Sequence, residues 1–172
     1  KALAASTGMD ALTHAMEGYI TKAGWLIPDM FHINAMSLIY KNLEAAALEK
    51  NDLAIEKMAY AQYIAGLAYS NSGLGIAHSI AHAISGKFNI QHGIALSMLL
   101  PTVLKFNMYS PKAHMFKYIA EAFDIDTSNM KLEEICRALR KLQLLEKRIL
   151  YEKDFRKRFC LYQKYRKFCK CI

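Results

Sequence analysis

No stretch of this chain approaches the roughly 20 consecutive apolar residues of a membrane-spanning helix, although 53% of its 172 residues are hydrophobic. The apolar content is sized for a core, and the length suits one domain. Cysteine is scarce and poorly placed for disulfide or zinc-ribbon chemistry. Cys136 stands alone in a helical pattern, while Cys160, Cys169 and Cys171 crowd the C-terminal end, so free thiols in a reducing compartment are expected. Strand signals are nearly absent, as are repeats, coiled-coil runs and low-complexity tracts. The chain opens KALAASTG, with no initiator Met and no basic-then-apolar leader, and reads as a cytoplasmic protein seen from partway along its gene. A glycine-rich phosphate fingerprint is also missing. Gly73 and Gly75 in SNSGLGIAH lack the preceding β-branched strand and read as loop or helix-start glycines.

Helical patterns fill the space instead. Apolar periodicity predicts helices over 8–21, 28–49, 52–71, 75–85, 92–107, 112–123 and 129–145. Thr7 or Ser6 would cap the first, and Pro28 and Asp29 suit the first turn of the second. Pro101 is expected to kink the fifth or break it in two. Met58, Tyr63 and Leu67 in the third read as core. The aromatic residues Trp25, Tyr69 and Phe88 could line a small pocket, but at helical spacing they too read first as core.

Among these patterns one constellation specifies chemistry. Asp10 and His14, four apart in TGMDALTHAMEGY, project from nearly one helix face, and His78 and His82 repeat that spacing in GLGIAHSIAHAISGKFNIQHG. Thirteen residues separate His78 from His92, with Gly86 and the Asn89 region to turn the chain between them. Each residue has a plainer reading: Asp10 follows Thr7 at capping-box spacing, and a single histidine on an apolar helix is commonly a hydrogen-bonded core residue. Together they are an odd way to build a core, because a buried carboxylate needs partners. Asp10, His14, His78 and His92 are therefore candidate metal ligands. A set of nitrogen and oxygen donors without thiolate suits Fe(II), Zn(II), Mn(II) or Ni(II). Four protein ligands close a tetrahedral zinc site but leave an opening on an ion that accepts five or six, which favours iron for a catalyst. A zinc-peptidase reading fails on H-E-x-x-H: the residue after His78 is Ser79, so a hydrolytic water would have no adjacent carboxylate base.

The stretches STGMDALTHAMEGYITKAG and AYAQYIAGLAYSNSGLGIAHSIAHAISGKFNIQHGIALSMLLPTVLKFN, with the intervals between the four ligands, resemble the iron-containing, or group III, alcohol dehydrogenases over residues 1 to about 142. The resemblance implies an all-α unit, the helical catalytic domain of the dehydroquinate synthase-like, iron-containing alcohol dehydrogenase fold. It places the family's metal ligands on Asp10, His14, His78 and His92, and on His82 a further histidine near the nicotinamide, which would relay a proton or orient the cofactor. It also implies NAD- or NADP-linked oxidation of a small primary alcohol or diol, or reduction of the aldehyde, with the metal acting as a Lewis acid on the substrate oxygen. The family's N-terminal α/β nucleotide domain is not represented in these residues, so the chain alone is expected to be inactive. Homodimerisation is a further implied possibility. The related glycerol dehydrogenases use zinc and lack the equivalent of His14, which this chain has.

The last thirty residues differ in composition. From Gln143 to Ile172 there are ten Lys and Arg against three acids, whereas residues 1–142 carry thirteen against twelve. Residues 1–142 thus form the expected metal-binding domain and 143–172 a basic, divergent tail, read as a frameshifted or otherwise altered end. The competing reading is a non-enzymatic basic helical protein whose histidines are core and whose tail, with aromatics among the basic residues, binds an acidic polymer such as nucleic acid. That partner is the less expected one.

Overall fold

The computed structural model describes residues 1–139; the basic segment 143–172, with Cys160, Cys169 and Cys171, lies outside the described residues. Every regular element among the described residues is helical: α1 (Ala2–Ile20), α2 (Leu26–Glu44), α3 (Asp52–Ser72), α4 (Ile76–Phe88), α5 (His92–Asn107), α6 (Phe116–Ala122) and α7 (Leu132–Leu139). A π-helical turn, Ala45–Glu49, extends α2, and a 3-10 turn, Ala113–Met115, leads into α6. No described helix is long and apolar enough to cross a membrane.

Helix α1 is the axis of the fold. Its residues from Met9 to Tyr19 are buried on nearly every side, apart from half-buried Asp10 and His14. A helix buried all round lies inside a bundle and not on its surface. It packs against α2, α3 and α5, and α4 packs against α5. The larger apolar cluster joins Met9, Leu12 and Met16 of α1 to Met36, Ile39 and Leu43 of α2 and Phe116, Ile119 and Phe123 around α6. A second, smaller cluster ties Ala77 and Ala81 of α4 to Leu96, Leu99 and Val103 of α5. The metal-site candidates lie on α1, α4 and α5.

Several local expectations are corrected. Ser6 and Thr7 do not cap α1; the helix begins at Ala2 in an alanine-rich run of good helix formers, and both hydroxyls donate back to the Leu3 carbonyl. Helix α5 runs through Pro101 unbroken. Proline costs about 3 kcal/mol inside a helix, and burial of Leu99, Leu100, Val103 and Leu104 around it outweighs that cost. Tyr63 and Leu67 are exposed, because α3 turns a face of small residues, Ala61, Ala65 and Ala68, to the bundle; Met58 alone of that trio packs against the core. Trp25 and Phe88 are exposed rather than core. Gly86 lies within α4, and the chain turns at Asn89, whose φ of 51° is left-handed. Gly73 ends α3 at φ 75° and Gly75 caps α4, the loop and helix-start roles anticipated for them.

Candidate metal centre

Three of the four candidate ligands converge. Asp10, His14 and His78 each offer a donor atom, all within 4.8 Å of one another. Asp10 Oδ1 lies 3.0 Å from His14 Nδ1 and 3.5 Å from His78 Nε2. Neither approach has hydrogen-bond geometry, and both Asp10 Oδ1 and His78 Nε2 are buried without a hydrogen-bond partner. Two otherwise unpartnered ligand atoms, a carboxylate oxygen and an imidazole nitrogen facing each other, are satisfied by a shared cation. The residues present fit a divalent metal with nitrogen and oxygen ligands.

One nitrogen of each ring is taken up by a hydrogen bond. His14 Nδ1 donates to the Asp10 backbone carbonyl at 2.9 Å, one turn back along α1. That assigns the proton to Nδ1 and leaves Nε2 bare for ligation. The half-buried Tyr69 ring of α3 stacks on His14, with centroids 4.5 Å apart and planes 24° apart, and so fixes the plane of the imidazole. His78 Nδ1 lies 2.8 Å from Glu17 Oε2 and donates to it, which again leaves Nε2 as the free nitrogen.

His92 sits beside this group and not within it: its ring centroid is 5.8 Å from that of His78. It is the first residue of α5. The helix reaches this position because residue 93 is glycine; a Cβ there would run into the Ser6 carbonyl of α1. Gln91 adds a 2.6 Å hydrogen bond to the Ser6 hydroxyl at the same crossing. His82 is exposed on α4, its ring 4.6 Å from that of His92, and it is not among the three convergent donors.

The electrostatics follow from burial and proximity. Burial pushes the Asp10 carboxyl up, but the imidazoles of His14 and His78, then the more distant His92, outweigh it and hold the group well below the usual carboxylate range. Burial disfavours charge on His78, yet the Asp10 and Glu17 carboxylates beside it raise its pKa overall. His92 is lowered, by burial first; Asp10 opposes that, and the neighbouring His82, His78 and His14 reinforce it. Neutrality at His92 thus comes from crowding by other imidazoles as well as from desolvation.

Sequence reasoning passed over Glu17, which is 1% exposed and contacts His78. A signal was available: Glu17 lies three residues after His14 and seven after Asp10, on the same helix face, with no basic residue in α1 after Lys1 to pair with it.

Comparison with known proteins gives the family. Residues 4–159 match the model for the Fe-containing alcohol dehydrogenase family, C-terminal, a match that runs on past residue 142. The chain is 42% identical over 154 residues to the NAD-dependent methanol dehydrogenase of Bacillus methanolicus, covering 89% of this chain and 39% of that one. It is 41% identical over 133 residues to the lactaldehyde reductase of Escherichia coli K12, covering 77% of this chain and 34% of the relative. The structure of the alcohol dehydrogenase from Oenococcus oeni superposes with a TM-score of 0.80 at 30% identity, covering 86% of this chain and 39% of that one. The chain therefore spans less than two fifths of the length of these relatives.

Proposed function

This chain belongs to the Fe-containing alcohol dehydrogenase family, as its C-terminal helical domain, and from that premise we propose that it is the metal-binding part of an enzyme that interconverts a small alcohol or diol and its aldehyde with NAD or NADP. The observation that carries the reading is the pair of orphaned, mutually facing donors, Asp10 Oδ1 and His78 Nε2, with His14 beside them. The names of the relatives support the substrate class: one is a methanol dehydrogenase, another a lactaldehyde reductase.

In this reading Asp10, His14 and His78 hold the ion, iron by the family's description, and His92 completes the set from the start of α5. When bound, the metal supplies a Lewis acid that favours loss of the alcohol proton and fixes the carbinol carbon for hydride transfer. The chain's own residues do the rest. Asp10 brings the one negative charge among the ligands, and the neutral imidazoles leave the site with net positive charge when loaded. Buried Ala77, Ala81 and Leu96 around His78 limit access of water and strengthen the field at the site. His82, exposed and with its ring 4.6 Å from that of His92, would relay a proton or orient the cofactor, the role the family resemblance gives it. The chain spans less than two fifths of its relatives' length, so hydride transfer is proposed for the whole enzyme and metal binding for this chain.

The test is metal content after anaerobic reconstitution with Fe(II), for the parent and for Asp10→Ala and His78→Ala, each checked for helicity by circular dichroism. Near-stoichiometric iron in the parent and its loss in both helical variants is the expected result. A folded parent that retains no iron overturns the reading.

A further inference from the structure

We propose that Glu17 is the positioning residue of this centre: it selects the tautomer of His78 that presents a bare Nε2 to the ion and anchors the start of α4 to α1. The inference rests on the metal-binding reading above.

Three donors converge on one carboxylate. Glu17 Oε1 accepts the Ala77 backbone N–H at 2.8 Å, and Oε2 accepts both the His78 backbone N–H at 3.1 Å and His78 Nδ1–H at 2.8 Å. The first two are N–H groups of the first turn of α4, which have no partners within the helix. A negative charge there is also favoured by the helix dipole. The third contact has a different consequence. A carboxylate only accepts hydrogen bonds, so it holds the imidazole proton on Nδ1 and leaves Nε2, 3.5 Å from Asp10 Oδ1, with a lone pair directed into the site.

The surroundings are built for this contact. Glu17 is 1% exposed and has no Lys or Arg partner among the described residues. Gly75, the residue that caps α4, lies against Oε1, and a Cβ on it would meet that oxygen. Asp10, His14 and Glu17 share one face of α1, so a single rigid helix carries two ligands and the group that orients the third.

Glu17→Gln separates orientation from simple capping. Gln has one accepting oxygen in place of two, so it cannot satisfy the Ala77 N–H and both His78 donors together; with its nitrogen toward His78 the imidazole carries its proton on Nε2, where it blocks ligation. The measurement uses the whole 172-residue chain, with Co(II) as the probe metal. Long-range proton–nitrogen NMR of the metal-free parent, at a pH where the imidazole carries a single proton, is expected to show that proton on Nδ1 of His78, with its signals assigned by their loss in His78→Asn. In Glu17→Gln the proton is expected on Nε2, with Co(II) affinity reduced roughly 10–100-fold. Gly75→Ala, which displaces the carboxylate without altering it, is expected to weaken Co(II) in the same direction. A parent with the proton on Nε2 overturns the proposal without any variant, as does a helical Glu17→Leu chain, which offers His78 no acceptor at all, that binds Co(II) as tightly as the parent. A folded parent that binds no Co(II) instead overturns the metal reading on which the proposal rests.

Discussion

At the scale of the residue, His32 is the buried histidine that the centre does not use. It is fully buried on α2, donates from Nε2 to the Ser72 hydroxyl at 2.9 Å, and leaves Nδ1 without a partner. Burial first, and then the neighbouring His14, push its pKa down to about 4. The unfolded chain protonates near pH 6.5 while the folded chain stays neutral, so stability is lost as pH falls from about 6.5 to about 4 and is unaffected above that window. The loss is on the order of 3 kcal/mol. Unfolding midpoints measured from pH 7.5 to 4.5 are expected to fall more steeply in the parent than in His32→Gln, and equal slopes would refute this. Gly93 sets a second residue-scale constraint. Gly93→Ala forces α5 away from the Ser6 carbonyl, so it is expected to cost about 1–3 kcal/mol and to weaken metal binding by shifting His92. Denaturant titration with and without Co(II) measures both effects.

At the scale of the element, caps set the helix boundaries that periodicity alone leaves loose. Helix α3 starts where Asn51 Oδ1 accepts the Ala54 N–H at 2.9 Å. Asn51→Ala is expected to cost about 1 kcal/mol, with no change in metal affinity, because α3 carries no proposed ligand. Urea unfolding read beside a metal titration checks both halves of that statement. The contrast with α1 is instructive. Ser6 and Thr7 are as suited to capping as Asn51, yet the helix forms before them because KALAA continues it and α5 packs on its first turns. In α4 the cap comes from another helix, through Glu17, and nothing within α4 itself announces it.

At the scale of the whole molecule, the candidate ligands join α1, α4 and α5, elements whose direct packing is otherwise divided between two apolar clusters. An ion bound there cross-links the clusters and stabilises the folded state by mass action. With free metal at about 100 times its dissociation constant the gain is about 2.7 kcal/mol. For a chain of this size that raises the thermal midpoint by about 5–10 °C. The rise is expected in the parent with Co(II) or Fe(II) and absent in Asp10→Ala; an equal rise in both would mean that the metal acts elsewhere. A row of apolar side chains, Trp25, Leu26, Ile27 and Met30, stays exposed where α2 begins.

The sequence by itself determined the class of fold, because apolar periodicity near 3.6 with almost no strand signal leaves only helices. It placed α5 to the residue and offered Asp10, His14, His78 and His92 as candidate ligands, of which the fold brings the donor atoms of the first three together and sets His92 beside them. It also carried the family, in motifs short enough to read directly. Tertiary structure alone decided the rest. Tyr63 and Leu67 face outward because the bundle accepts a narrow alanine face of α3, and Pro101 stays helical because its neighbours are buried. Glu17 acquired its role only when α4 was set against α1, across sixty residues of sequence. Long-range contacts of this kind depend on which surfaces meet, and no local period encodes that.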